Sequence, residues 1–222
     1  MNDASGNIQD SSGNAQHSTS AYGGLTYSQS SPITSDSSAR SILINTGGFV
    51  VPKSATVDVG DNFTIEAWFK RVNSAQNDWF VDRGGDGVDG GYRLFLRNDN
   101  PDPLILSQAT VQSTFVSTPT YGDTNWHYVG TGKNGATIRM VVDGVDISGT
   151  TINTTYDNFT DDLFIGDLYQ QNGTTNMYLA EVAIYPTLLS VVRMQAHYAA
   201  ATTVAGPGDN PPFRHSGRGA GW

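Results

Sequence analysis

Apolar and polar side chains alternate along residues 63–71, and this period of two is typical of a β-strand. One set of alternate positions is apolar throughout: Phe63, Ile65, Ala67 and Phe69. The other set combines Glu66 and Lys70 with the large apolar Trp68. A strand that faces a core on one side only usually carries a polar second face. We therefore expect the second face of this strand to be covered, or to hold a ligand.

Similar runs recur at short intervals, separated by Gly, Asp and Asn residues that favour turns. The further strands predicted are 79–82, 92–97, 104–108, 114–117, 126–131, 138–142, 145–148, 163–165 and 178–185. In residues 41–52, Thr46-Gly47-Gly48 predicts the turn of a hairpin. A single helical stretch is predicted over residues 187–201, with Ser190 as its N-cap. These patterns predict an all-β protein, a two-sheet antiparallel sandwich with one short C-terminal helix.

Three parts of the chain differ in composition, and the central part, residues 39–201, has the strand periodicity of a folded domain. Residues 1–38 are rich in Ser, Asn, Gln and Gly, and we expect them to pack as the first turns or the first strand. Residues 202–222 are expected to be an extended Pro/Gly/Arg tail. Large apolar and basic side chains are spaced along it: Phe213, Arg214, Arg218 and Trp222. They predict attachment to a partner or self-association, although a mobile terminus with an incidental Trp fits the pattern equally well.

A family resemblance is carried by phrases in a fixed order. They are FTIEAWFK at 63–70, WHYV at 126–129, TIRMVVDGVDISG at 137–149, LFIG at 163–166 and LAEVAIY at 179–185. Together they resemble the laminin-G-like branch of the concanavalin A-like lectin/glucanase superfamily over residues 39–200. The resemblance implies a jelly-roll sandwich that usually binds something, often a glycan, and usually does no chemistry. Because one fold hosts many functions, the resemblance implies little about the ligand.

Composition narrows the class of partner. The chain of 222 residues has 12 Lys and Arg against 21 Asp and Glu, a net charge of −9, which disfavours nucleic acid as a partner. An acidic surface suits a cation site, but it more often serves solubility alone. The chain has no cysteine, so disulfides and thiolate metal sites are excluded. No apolar run approaches the roughly 20 residues of a membrane-spanning helix, so no membrane insertion is expected.

The first residues, MNDASGNIQDSSG, lack the basic and apolar regions of a signal peptide. Laminin-G domains secreted by animals usually carry a disulfide, so the missing cysteines favour a bacterial or viral relative. A virion protein would reconcile a binding domain with the missing signal, because it is made in the host cytoplasm and released by lysis. We therefore expect the surface of a phage virion as its location. The alternative is the extracellular medium or a cell surface.

Candidate catalytic side chains are scarce. Glycoside hydrolysis needs two carboxyl groups about 5–10 Å apart. The whole chain has only two glutamates, Glu66 and Glu181, and they fall in different predicted strands. The alternating acidic motif of the hydrolases in this superfamily is missing, and no Gly-x-Ser-x-Gly motif occurs. We predict that the protein is not an enzyme, and a glycoside hydrolase is the outside alternative.

Calcium is the one cofactor for which the sequence offers ligands, because it prefers carboxylate and carbonyl oxygens supplied by a loop. Residues 10–14 resemble a loop that precedes the first strand of bacterial laminin-G-like domains, and the resemblance implies calcium bound by Asp10 and Asn14. Glu181 would complete the site, although Ala180 stands where the family commonly has Asp. The alternative is that Asp10 only forms a turn with nearby backbone.

A sugar site needs an aromatic platform beside planar polar groups, because sugars present apolar ring faces and a rim of hydroxyls. Side chains of both kinds occur on predicted loops and open faces: Trp79, Arg83, Tyr92, Arg97, Asn98, Tyr121 and Tyr169. Trp68 and Trp126 are assigned to the core instead. The resulting hypothesis is a non-enzymatic binding module that engages glycans or a host surface, as a capsid decoration or minor tail protein. The alternative is a purely structural virion protein, bound to capsid or tail proteins, without a glycan ligand.

Overall fold

The computed structural model describes residues 3–73, 75–84, 90–99, 102–108, 115–149, 155–156, 161–168 and 174–203. The strands are β1 (Ser20–Ser30), β2 (Arg40–Val51), β3 (Asn62–Arg71), β4 (Asp78–Asp82), β5 (Tyr92–Leu96), β6 (Pro103–Gln108), β7 (Phe115–Thr120), β8 (Trp126–Asn134), β9 (Thr137–Val142), β10 (Val145–Asp146), β11 (Leu163–Ile165) and β12 (Asn176–Tyr185). They are followed by one helix, α1 (Val191–Thr202). Within the described ranges, no helix has the length and apolar character to cross a membrane.

The strands form two antiparallel sheets that meet at β11. The large sheet has the order β10-β9-β8-β3-β12-β2-β1, and the small sheet has the order β4-β5-β6-β7. The short strand β11 pairs with β2 of the large sheet and with β4 of the small sheet, so the two are continuous there. The prediction of an all-β sandwich of the jelly-roll type with one short helix is confirmed.

The main core lies between the two sheets. The ring of Phe69 on β3 lies 4.8 Å from that of Phe80 on β4, and Phe63 on β3 stacks on Tyr92 of β5 at 5.1 Å. The alternate apolar positions of β3 all point into this core, as their pattern predicts: Phe63, Ile65, Ala67 and Phe69. Full burial of an apolar side chain of this size contributes about 1.5–3 kcal/mol. The contacts between these rings therefore hold the sheets face to face.

The second face of β3 is covered by α1, as the presence of Trp68 on that face suggests. A second cluster of buried side chains lies there: Trp68, Tyr128, Val141, Ala180 and Met194. The helix begins at the predicted N-cap, where the hydroxyl of Ser190 accepts a hydrogen bond from the N–H of Arg193 at 3.1 Å. Tyr198 of α1 stacks on Trp68 with 5.6 Å between ring centroids. The helix thus covers part of the outward face of the large sheet, and the side chains between them form a second core.

The prediction of a hairpin in residues 41–52 is wrong, because β2 is one continuous strand. Thr46 has a positive φ of 55°, and the register between β1 and β2 shifts beside Gly23, so Gly47 lies in an irregular part of a strand pair. The two backbones approach so closely that a Cβ on Gly23 would lie 2.1 Å from the carbonyl oxygen of Thr46. Glycine is present here because the two backbones approach closely. A local sequence pattern does not distinguish this role of glycine from its role in a turn.

The structure describes the N-terminal segment from residue 3 onward, and at the C-terminal end it describes residues up to 203. The polar N-terminal segment contributes β1, which pairs with β2, and Ile8, which is buried in the main core. At the other end, α1 extends to Thr202. The predicted attachment residues of the tail lie outside the described residues: Phe213, Arg214, Arg218 and Trp222.

Candidate functional site

The outward face of the small sheet carries two stacked aromatic rings. Trp79 on β4 lies directly opposite Phe95 on β5, and their ring centroids are 4.4 Å apart with 28° between the ring planes. Both side chains are half-buried. A stacked pair of this kind offers a flat apolar surface that water covers only in part.

Strand alternation places Phe95 outside the core. On β5 the side chains of Tyr92, Leu94 and Leu96 are fully buried in the main core. The intervening position 95 must then point to the opposite face, because successive side chains of a strand alternate. Trp79 shares that face as the directly paired residue of β4.

The apolar row continues from Phe95 across the small sheet. Ile105 on β6 lies directly opposite Phe95, and Val116 on β7 lies directly opposite Ile105. Ile105 is fully buried, whereas Val116 is 39% exposed. The accessible part of the row is therefore its Trp79 end and its outermost strand.

Two arginines on β5 and just beyond it flank the rings, because positions 93, 95 and 97 alternate onto the same face. Arg93 Nε donates a hydrogen bond to Asp82 Oδ1 at 2.6 Å. Arg97 forms an ion pair with Asp99, and the two side chains are 36% and 40% exposed. An ion pair this exposed contributes about 0–1 kcal/mol. A ligand could therefore replace Asp99 as the partner of Arg97 at small cost.

Two asparagines complete the surface. The backbone N–H of Asn98 donates to Asn77 Oδ1 at 2.9 Å, which holds the segment after β5 beside the start of β4. Asn98 is exposed. We call this set the Trp79 surface: Asn77, Trp79, Arg93, Phe95, Arg97 and Asn98.

The Trp79 surface joins the two kinds of group that sugar recognition needs. The stacked rings suit the apolar CH face of a pyranose or furanose, and the amides and guanidinium groups suit its hydroxyl rim. The nearby carboxylates of Asp82 and Asp99 are both engaged with arginines. The arrangement is therefore suited to binding.

Three of the predicted glycan-binding residues come together on this surface: Trp79, Arg97 and Asn98. Arg93 and Phe95 were not among the predicted glycan-binding residues, although both lie in a predicted strand. The signal that could have found them is the alternation of residues 92–97, in which Tyr92, Leu94 and Leu96 are the better core candidates.

Arg83 and Tyr92 do not belong to the surface. Arg83 follows β4 outside the strands but is not open to a ligand, and the expectation that Tyr92 lies on a loop or an open face is wrong. Both are fully buried. Arg83 pairs with Asp58, and the hydroxyl of Tyr92 donates to the carbonyl of Val57 at 3.1 Å. Tyr92 is on the core-facing side of β5, where a stacked contact with Phe63 fills the inter-sheet layer. Both side chains therefore have partners within the fold.

Tyr121 packs against the large sheet, and Tyr169 lies outside the described residues. The ring of Tyr121 meets that of His127 edge to face, with 5.4 Å between centroids. Burial, with a smaller contribution from the charge of Asp143, raises the pKa of Tyr121 to about 12. Its hydroxyl therefore stays protonated at physiological pH.

Glu66 is buried between β3 and α1, and hydrogen-bond donors surround its carboxylate. The hydroxyls of Tyr128 and Tyr185 donate to it at 2.8 and 3.1 Å, and His197 Nδ1 lies 2.8 Å from Oε2. Burial and the neighbouring charge of Glu66 raise the pKa of both tyrosines, so both hydroxyls stay donors. These contacts join the helix to the sheet. The other glutamate, Glu181, is exposed on β12 at a positive φ of 48°.

The proposed calcium loop is closed by its own hydrogen bonds. The N–H groups of Ser12 and Gln16 donate to the two oxygens of Asp10 at 2.8 and 3.0 Å. Burial alone would raise the pKa of Asp10, but the bonds from Ser12 and Gln16 lower it. Among the described residues, no three His, Asp or Glu side chains gather into a group that could hold a metal ion. Asp10 thus forms the turn of the alternative hypothesis, and calcium bound by Asp10, Asn14 and Glu181 stays a prediction.

An open cavity of about 340 Å³ lies beside the same loop. Its lining is Ala15, Gln16, His17, Thr19, Pro52, Lys53 and Ser54. Nδ1 of His17 accepts a hydrogen bond from the N–H of Asp10 at 3.0 Å, so the imidazole already supports the loop. The lining offers no Trp or Tyr ring, and the Trp79 surface fits sugar recognition better.

The family of the chain follows from its sequence match and its fold. A laminin G family model, described as the concanavalin A-like lectin/glucanases superfamily, matches residues 44–192, more than half of the chain. The chain belongs to this superfamily. The match confirms the resemblance carried by the phrases at 63–70 and 126–149, and all residues of the Trp79 surface lie within it. No curated protein sequence matches this member of the superfamily.

Solved structures share the fold at low identity. Domain 4 of a GH43 extracellular arabinanase from Geobacillus stearothermophilus, in complex with arabinotriose, is 12% identical with a TM-score of 0.59, over 79% of this chain and 81% of that chain. A mutant of Trypanosoma rangeli sialidase displaying trans-sialidase activity is 14% identical with a TM-score of 0.56, over 82% of this chain and 32% of that chain. Botulinum neurotoxin type C, in a structure on its interaction with two ganglioside molecules, is 12% identical with a TM-score of 0.59, over 90% of this chain and 52% of that chain. These likenesses show the fold, and this chain spans only part of the sialidase and the neurotoxin.

Proposed function

We propose that the protein is a non-enzymatic binding module that engages glycans through the Trp79 surface. The observation that carries the proposal is the half-exposed stack of Trp79 and Phe95 between Arg93 and Arg97. The fold supports it, because an arabinanase domain of this fold is in complex with arabinotriose and a neurotoxin of this fold interacts with gangliosides. A sugar ring laid on the stack would bring its hydroxyls within reach of the flanking planar groups.

The contacts of Glu66 support the non-enzymatic part of the proposal. Its carboxylate is engaged by Tyr128, Tyr185 and His197 beneath the helix, so this glutamate has a structural task. The hydrolase alternative would rest on Glu181 and on aspartates. Reducing-sugar assays on arabinan and β-glucans should show no release above the blank. Release that is lost in Glu181→Gln would establish the hydrolase instead.

A glycan array tests the binding site. The wild-type protein should bind at least one class of oligosaccharide, and Trp79→Ala and Phe95→Ala should each lower affinity about tenfold or more, which corresponds to the loss of about 1.4 kcal/mol of binding free energy. Val192→Ala is the matched control, since it removes an exposed apolar side chain from α1. Melting curves of all variants confirm that the sandwich is retained.

Two outcomes of this experiment would contradict the proposal. Binding that survives both ring deletions would move the site away from the Trp79 surface. A wild-type protein that binds no glycan would favour the purely structural alternative.

The biological setting that we propose is the surface of a virus particle, with capsid or tail proteins as partners. The composition of residues 202–222 supports this setting, because apolar and basic anchors alternate there with Gly and Pro that cannot build a core. An extracellular or cell-surface location is the alternative. A binding module in either place would use the sandwich for the ligand and the C-terminal segment for attachment.

A further inference from the structure

A second row of aromatic and basic side chains crosses the outward face of the large sheet. Lys70 on β3 lies directly opposite Trp126 on β8 and directly opposite Tyr178 on β12. Leu43 on β2 is in turn directly opposite Tyr178. Residues paired in this way point to the same side of a sheet. The neighbouring Phe69 lies in the main core, so the row of Lys70 lies on the outward face.

The helix leaves this row uncovered. The next row toward α1 contains Trp68, Tyr128 and Ala180, and all three are buried in the second cluster. In the row of Lys70 the side chains are half-buried, and Trp126 packs against the edge of the second cluster. The sequence-based assignment of Trp126 to the core is therefore only partly correct. Its ring forms the boundary between the helix-covered part of the sheet and the open part.

The ammonium of Lys70 lies over the ring of Tyr178, and the ring of Trp126 lies beside that of Tyr178. The centroids of Trp126 and Tyr178 are 6.0 Å apart, and Lys70 Nζ lies 5.6 Å from the centroid of the Tyr178 ring. An aromatic face stabilises a nearby ammonium, so the Tyr178 ring helps to hold the charge at the surface. We call Trp126, Lys70 and Tyr178 the Lys70 surface.

The charge of Lys70 is not neutralised by a carboxylate within the described part of the chain. Most other cations there have an aspartate partner: Arg71, Arg83, Arg93, Arg97 and Lys133. The protein has a net charge of −9, so acidic side chains are plentiful. A half-buried lysine without a carboxylate partner, next to two aromatic rings, is suited to an anion supplied by a ligand.

We propose that the Lys70 surface binds an acidic saccharide, one that carries a carboxylate or sulfate group. The ammonium would take the anionic group, while Trp126 and Tyr178 would take the apolar faces of adjoining sugar units. The two ring centroids lie 6.0 Å apart, so both rings can contact neighbouring parts of one bound saccharide. An acidic peptide would use the ammonium but would draw no specific benefit from the flat rings beside it.

The Lys70 surface is independent of the Trp79 surface. It lies on the other sheet, and the proposal rests on its own charge and ring geometry. Loss of Trp79 should therefore leave binding at the Lys70 surface unchanged. Binding measurements on a variant without Trp79 therefore test the two surfaces separately. Acidic-saccharide binding at the Lys70 surface can fail or succeed whatever the result for glycan binding at the Trp79 surface.

The test is an array on which each acidic oligosaccharide, whether uronic, sialylated or sulfated, is paired with its carboxyl-reduced or desulfated counterpart. The wild-type protein should prefer at least one acidic member over its neutral counterpart by about tenfold or more, as expected for a charge-assisted contact. Lys70→Gln should abolish that preference, and Lys70→Arg should retain most of it. Lys53→Gln is the matched control, because Lys53 is exposed and its ammonium also forms no ion pair with a carboxylate among the described residues; its backbone bond to Asp162 is kept in the variant.

Several results would overturn the proposal. One is an array without any acidic preference. Another is an equal loss in Lys53→Gln and Lys70→Gln, which would show general charge attraction. A third is equally strong binding of hexaglutamate, which would make the surface a site for acidic peptides. Retention of the acidic preference in Trp79→Ala supports the proposal, and its loss there would move the acidic site to the small sheet.

Discussion

His127 on β8 shows how one side chain can couple charge to stability. Its Nδ1 lies 2.7 Å from Asp143 Oδ2 and its Nε2 lies 3.0 Å from Asp123 Oδ1. Burial alone would lower the pKa of His127, but the hydrogen bonds and charges of the two aspartates outweigh it and raise the pKa. The protonated ring therefore joins the β9–β10 turn to the loop that precedes β8.

The charge of His127 predicts pH-dependent stability. His127→Gln should lower the free energy of unfolding by about 0.5–1 kcal/mol near pH 6, a value that allows for solvent screening of the exposed aspartates. The folded pKa is raised above the unfolded value of about 6.5, so the contribution is complete below that value and is lost as pH rises through the folded pKa. Urea denaturation of both proteins between pH 5.5 and 9 measures the difference.

A partner variant controls this experiment. Asp123→Asn removes one of the two carboxylates and should shrink the pH-dependent part of the effect of His127→Gln without removing it. A stability difference that stays constant with pH would show that the ring acts by packing against Phe69 and Tyr121 alone.

At certain positions in the paired strands, the neighbouring backbone limits the size of the side chain. Beside the shift in β1, Gly23 has a φ of +78° and faces the backbone of Thr46 and Gly47. On β8, a Cβ on Gly132 would lie 2.1 Å from the carbonyl oxygen of Phe63 on β3. These glycines allow the paired backbones to approach closely.

A comparison of two glycines tests this limit. Gly23→Ala should cost more than the roughly 1–2 kcal/mol of a positive φ, because the new methyl group also meets the backbone of β2. Gly13→Ala is the control, since Gly13 has a φ of +90° with no atom within 4 Å of a Cβ, and it should cost the strain alone. Urea denaturation of both variants gives the two values. Equal losses would show that β1 moves away from β2 without penalty.

At the scale of the whole molecule, the sandwich presents two separate ring-bearing surfaces, one on each sheet. Trp79 and Phe95 lie on the outward face of the small sheet, while Lys70 lies on the outward face of the large sheet. Sites on opposite sheets can bind different sugar units of the glycans that cover one surface. Two weak contacts that engage together bind far more strongly than either alone. This arrangement fits a protein that attaches to a glycan-covered surface.

Deletion of residues 206–222 tests the attachment role of the C-terminal segment. The melting temperature of the sandwich should change little, because the composition of the segment cannot build a core. Association with particles, or self-association, should be lost. Phe213 and Trp222 offer only about 1.5–3 kcal/mol each or somewhat more for Trp, so a partner must also supply backbone hydrogen bonds.

Cosedimentation with particles and analytical ultracentrifugation measure the two forms of association. A variant with the same segment in scrambled order is the control, since it keeps composition and charge. Normal assembly of the truncated protein would refute the attachment role and would leave glycan binding as the main function of the molecule.

Local patterns were sufficient for most of the strands and for the helix of this fold. The strand assignments at 92–97, 126–131 and 163–165, and the helix with Ser190 as its N-cap, agree with the structure to within a few residues. Alternation and capping act between neighbours in the chain, so they are visible in a single sequence. The order of the phrases was also sufficient for the family.

The binding surfaces required long-range pairing. Trp79 meets Phe95, and Lys70 meets Trp126 and Tyr178, through registers between strands that no local pattern specifies. The same pairing buries Tyr92. The glycines of β2 were predicted to form a turn. Glycine has no side chain, so it permits both a turn and the close approach of two strands, and the local sequence does not distinguish the two. Which of the two occurs depends on whether a distant strand, here β1, lies alongside.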